Sequence, residues 1–94
     1  MYARLARFQA DPATIDAQIE RVRGEVSAAP PPGLEGAKMM MLIDRASGQG
    51  LGITLFETEE AMRRGDEELN AMSPGPGARR TAVEFYEVPV NTLG

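Results

Sequence analysis

The sequence contains no cysteine, no histidine and no tryptophan. Lacking cysteine, it has no disulfide, no thiolate nucleophile, no zinc–thiolate site and no iron–sulfur cluster. Lacking histidine, it is without the commonest general base and the commonest metal and haem ligand. Aromatic residues make up only 5%. No stretch approaches the roughly 20 apolar residues that span a bilayer, and the start, with Arg4 and Arg7, has no apolar run of signal-peptide length. A cytoplasmic location without membrane contact is expected. Positive charge is also scarce. Ten Lys and Arg face 14 Asp and Glu, a formal net charge of −4, with a pI near 4.8. Such a surface repels phosphate backbones, so no nucleic-acid partner is expected.

What is present is ordinary for a folded chain: 43% hydrophobic and 26% charged over 94 residues. This excludes a disordered tail and bounds the chain at one domain, residues 1–94. Thirteen of the apolar residues are alanine, so the core is lean. Tyr2 to Gln9 reads as a strand ended by Ala10 and the Asp11-Pro12 pair, an N-cap followed by a proline where no hydrogen bond is lost. Ile15, Ile19, Val22, Val26 and Ala29 then form one helical stripe that must end before Pro30, Pro31 and Pro32. Gly24 interrupts it, and close packing on a neighbour is expected to be the reason.

Residues 37–43 and 51–56 are apolar runs around the polar turn Asp44–Gly50, the pattern of a β-hairpin. Thr58 caps a second helix whose buried side carries Met62, Gly65, Leu69 and Met72. Arg64 has Glu60 and Glu68 at i,i±4 on its outer side. A loop over Ser73–Ala78 leads to a last strand, Arg80 to Val90, with Pro89 marking where pairing stops. The order is βαββαβ, the ferredoxin-like α+β arrangement: a four-stranded antiparallel sheet with both helices on one face and strands one and three central.

A sheet with one wet face alternates apolar with polar residues, and these strands do not. Met39, Met41 and Ile43 oppose Met40 and Leu42. Leu51, Ile53 and Leu55 oppose Thr54 and Phe56, and Val83 and Phe85 oppose Tyr86 and Val88. Two helices cover one face only. The other requires a partner, and a two-fold homodimer with stacked sheets is expected.

With this order, the segments YARLARFQADPATID, MMMLIDRASGQGLGITLFETEEAM and VEFYEV resemble the dimeric α+β barrel superfamily, in its antibiotic-biosynthesis-monooxygenase-like branch. The resemblance covers nearly the whole chain. It implies two sheets stacked into a barrel, with a pocket for an aromatic or other hydrophobic small molecule. It also implies oxygenation without metal or organic cofactor in several members, so no cofactor is expected here. The haem-degrading branch uses histidine with asparagine and tryptophan, and this chain has neither histidine nor tryptophan. Phe56 stands where relatives frequently carry tryptophan.

Tyr2 and Arg4 share a face of the first strand, and Glu84 and Tyr86 share a face of the last. If the two faces coincide, the four make a polar cluster. Arg4 would then hold a substrate anion and Tyr86 would donate to an oxyanion. The alternative is that Arg4 and Glu84 neutralise each other beside the dimer interface. Met40, within the Met39–Met41 run, is expected as core or as an adaptable wall for a greasy ligand. No metal site is expected, because only Met39 and Met41 share a face and the carboxylates of Glu59, Glu60, Asp66, Glu67 and Glu68 read as a solvated helix surface. Two functions follow as expectations: a homodimeric binder or cofactor-independent monooxygenase acting on a hydrophobic molecule, or a non-catalytic sensing or dimerisation module. An RNA-recognition domain shares the element order, but the third strand offers one aromatic and no basic residue.

Overall fold

In the computed structural model the chain runs β1 (Tyr2–Ala10), α1 (Ile15–Ser27), β2 (Lys38–Ile43), β3 (Gln49–Phe56), α2 (Glu59–Asn70) and β4 (Ala78–Glu87). All residues are described except Ala29, Pro31, Ser73, Pro74, Pro76, Leu93 and Gly94. The expected end of the first helical stripe at Ala29, and parts of the Pro30–Pro32 and Ser73–Ala78 loops, therefore lie outside the described residues.

The strands form one antiparallel sheet in the order β2-β3-β1-β4, with β1 and β3 central as expected for the ferredoxin-like fold. Asp11 caps as the sequence suggests, its Oδ1 accepting from Ala13 N at 3.0 Å. What it starts is a 3₁₀ turn over Pro12–Thr14, and α1 begins only at Ile15. Thr58 Oγ1 accepts from Ala61 N at 3.1 Å, and Glu59 and Glu60 lie in the first turn of α2, where they favour the helix dipole. Arg64 pairs with Glu60 at 3.4 Å, whereas Glu68 instead packs its Cγ over Gly33. The last strand is shorter at its end than its apolar pattern suggests. It closes at Glu87, and Val88 N makes a final bond to Met1 O at 2.9 Å. Pro89 has no N–H to continue the ladder.

Register fixes the faces. Tyr2, Arg4, Ala6 and Phe8 of β1 lie opposite Phe56, Thr54, Gly52 and Gly50 of β3, and this set faces the helices. Leu5 lies opposite Ile53, and Met40 and Leu42 lie opposite Ile53 and Leu51, on the open face. The hairpin turn depends on Gly48, whose φ of 78° is left-handed and whose missing Cβ would sit 2.1 Å from Ala10 O.

The helices pack unequally. α2 lies close on β1 and β3, while α1 makes few close approaches to the strands. The core sits under α2, where Leu34, Phe56 and Met62 are buried together and Tyr2, Ala37, Ala61 and Leu69 pack around them. Leu34 is the residue sequence reading missed, a lone large apolar side chain in a loop. The expected stripe on α1 is only partly buried. Ile15 is enclosed, Ile19 and Val22 are half-buried, and Val26 is 55% exposed. Among the described residues nothing lies within 4 Å of a Cβ added at Gly24. The packing role expected for it is corrected.

Candidate functional site

Because α1 stands off the sheet, a cleft of about 470 Å³ opens between them. Ile19 and Val22 of α1 form one wall, and Met39 and Met41 of β2 form the other. Its floor is β3, where Gly50 and Gly52 present no side chain to the helix side. The Phe8 ring covers part of that floor, with Cε2 3.3 Å from where a Gly52 Cβ would be. Clefts of this size and apolar character are the usual form of small-molecule sites.

Two arginines reach the same cleft from below. Arg4 is 3% exposed. Its Nε donates to Asp66 Oδ1 at 2.7 Å and its Nη2 to Asn70 Oδ1 at 3.0 Å. This ties β1 to α2 and closes the end of the cleft, with the charge matched by Asp66. Arg80 is placed by a β-bulge. Arg7 lies opposite Ala82 but Phe8 lies opposite Arg80, so Thr81 is an extra residue in β4. That extra residue turns Arg80 to the helix face. Its Nη2 donates to Leu69 O at 3.0 Å and to Met72 O at 2.8 Å, at the end of α2. Its Nε is buried with no partner among the described residues.

The open face carries a separate polar network. Arg7 Nε donates to Glu84 Oε1 at 2.5 Å, and Tyr86 Oη donates to Glu84 Oε2 at 2.7 Å. The hydrogen bonds from Tyr86 and then Arg7 hold the Glu84 carboxyl below the usual carboxylate range. The same carboxylate pushes the Tyr86 phenol and the Arg7 guanidinium up. Tyr86 therefore stays protonated, with its hydrogen already committed to Glu84. Leu42, Leu51 and Ile53 continue this face as an apolar surface.

A structure comparison gives the architecture a counterpart. The same fold is found in MhuD. An arginine-to-serine variant of MhuD, with two manganese protoporphyrin IX bound per active site, superposes with a TM-score of 0.70 over 100% of both chains at 13% identity. That likeness shows the fold of the single chain. No family model matches the sequence, and no curated protein matches it.

The expected polar cluster is split by the sheet. Arg4 and Tyr2 face the helices, whereas Glu84 and Tyr86 face the open side. Arg4 pairs with Asp66, not with Glu84, and Glu84 pairs with Arg7. Both the shared cluster and the expected Arg4–Glu84 neutralisation are thus corrected. Of the six candidates, Arg4 lines the cleft. Met40 borders it, but its register opposite Ile53 puts it on the open face, 50% exposed. Phe56 and Tyr2 belong to the core under α2, with Phe56 only 4% exposed. Arg80 was missed because strict alternation places it beside Glu84 and Tyr86. The hint in the sequence is the Arg79-Arg80 pair that follows the proline- and glycine-rich loop. Among the described residues no three His, Cys, Asp or Glu are grouped to hold a metal, and no helix is long and apolar enough to cross a membrane.

Proposed function

We propose that this chain is a binding subunit: two copies stack their open sheet faces, and each holds a small hydrophobic molecule in its own cleft. The apolar cleft of about 470 Å³ between α1 and the sheet carries this reading. Burying the half-exposed stripe of α1 against a ligand completes a packing interface that the monomer leaves unfinished. Arg4 and Arg80, at its sheet side, are guanidinium groups suited to supply charge and hydrogen-bond donors to a ligand. Binding is therefore the activity the lining supports best. The fold's capacity for large planar ligands is supported by MhuD, which holds manganese protoporphyrin IX. The residues here do not fit a metalloporphyrin held by an axial histidine or cysteine, because the sequence has neither.

The test is a fluorescence titration with N-phenyl-1-naphthylamine, an uncharged aromatic probe. Saturable binding of one probe per chain is expected. Val22→Trp, which fills the cleft from α1, should abolish it while the circular dichroism stays that of the parent. Binding that is unsaturable, or indifferent to Val22→Trp, would overturn the reading.

A further inference from the structure

We infer that Arg80 is the recognition residue for an anionic head group, so that the cleft takes an amphiphile carrying an oxyacid anion on a flat apolar body. This rests on the cleft reading above and adds the chemical class of the ligand.

Four observations converge on Arg80. First, the bulge at Thr81 directs it to the helix face opposite Phe8, where it lines the cleft. Without the extra residue its side chain would sit on the other side of the sheet. Second, it is the cation of the lining with no carboxylate in salt-bridge reach among the described residues. Arg4 has Asp66, Arg21 has Glu25 and Arg23 has Glu20. The two acceptors that Arg80 Nη2 does reach are backbone carbonyls at the end of α2, which carry partial charge only. Third, its Nε is a buried donor without a partner among the described residues. A buried polar group left unmatched is costly, and such exceptions in a folded protein call for an explanation. An oxyanion at the guanidinium supplies the missing counter-charge. Fourth, the rest of the lining suits the other end of such a molecule. Gly50 and Gly52 add no side chain of their own to the floor, which the Phe8 ring and Ile43 partly cover. Phe8 offers a ring face, and Met39 and Met41 adapt to the outline of a ligand.

The experiment compares two probes that share an aryl body and differ in one charged group. These are 8-anilinonaphthalene-1-sulfonate and the uncharged N-phenyl-1-naphthylamine, titrated against the parent, Arg80→Gln, Arg80→Lys and Arg7→Gln. Arg80→Gln should weaken the sulfonate by about tenfold or more, the scale of a lost hydrogen bond to a charged group. It should leave the uncharged probe within about twofold, a margin too small to reflect a lost polar contact. Arg80→Lys, which keeps the charge, should restore most of the sulfonate affinity. Arg7→Gln, which removes a cation from the open face, should change neither probe. The inference is overturned if Arg80→Gln weakens both probes alike or neither, or if Arg7→Gln is the variant that loses the sulfonate. In those cases the uncharged probe, still blocked by Val22→Trp, keeps the cleft reading intact. Failure of the uncharged probe to bind the parent would bring down both.

Discussion

Gly24 and Gly65 are both helix glycines, and their surroundings assign them opposite roles. Among the described residues a Cβ on Gly24 meets nothing within 4 Å, whereas one on Gly65 would lie 2.4 Å from Phe56 Cε1 and 3.1 Å from Leu34 Cδ2. Gly24→Ala should therefore stabilise the protein by about 0.5–1 kcal/mol, the helix propensity difference. Gly65→Ala should destabilise by about 1–2 kcal/mol, because the overpacking cost exceeds that gain. Urea denaturation of the two variants checks both signs. The Arg4–Asp66 pair belongs to the same scale. Arg4 is nearly enclosed, and its partner Asp66 is the less buried of the two. Arg4→Met strands a partly buried carboxylate and an amide oxygen, so a loss of about 3 kcal/mol is expected, at the lower end for broken buried pairs. Adding Asp66→Leu should recover part of it, because no carboxylate is then left unpaired. A double variant less stable than Arg4→Met would refute that account. From the sequence the two glycines look alike, since both interrupt an apolar stripe. Only the distance of α1 from the sheet separates them.

At the scale of elements, the β1–β4 pair decides what the sheet presents to each side. Alternation correctly grouped Glu84 with Tyr86 and Tyr2 with Arg4. It could not supply the relative register of two strands about 70 residues apart in sequence, nor the extra residue at Thr81. No turn residue marks that bulge, so Arg80 could not be assigned to its face by pattern. The Arg7–Glu84–Tyr86 network on the other face has consequences in pH. Glu84 is held low, so its contribution is present at neutral pH and is lost as the pH falls through its lowered pKa. Tyr86 is held high, so its contribution is present below the ordinary tyrosine pKa and is lost as the pH rises through the raised value. Glu84→Ala, made in a Tyr2→Phe background so that one tyrosine titrates, should bring the Tyr86 pKa back toward ~10. Ultraviolet absorbance against pH reads this directly. A titration midpoint that stays put would show that the hydrogen bond to Glu84 is not what holds Tyr86.

For the whole molecule, the informative feature is a sheet that is apolar on both sides. That much was legible in the strands, because runs such as Met39–Ile43 do not alternate, and element order was enough to give the topology. Less legible was how the helix side is filled. The same apolar residues that read as core leave a cleft, since α2 packs down on β1 and β3 and α1 does not. The open face makes its own demand. Met40 and Leu42 are half-exposed beside Leu51, Ile53 and Leu55, and contiguous apolar surfaces of this kind on a folded chain mark an interface. The second copy proposed above would cover it by two-fold stacking, with the sheets about 10 Å apart. Light scattering at low micromolar concentration should then give twice the 10.2 kDa chain mass. Ile53→Glu, at the middle of that face, puts a charge from each copy into the interface and should give a monomer that keeps the parent's circular dichroism. Val22→Trp, on the opposite side of the sheet, should remain dimeric. A parent that is monomeric throughout would leave the open face without its partner, while a dimer that survives Ile53→Glu would place the two-fold contact elsewhere on the molecule.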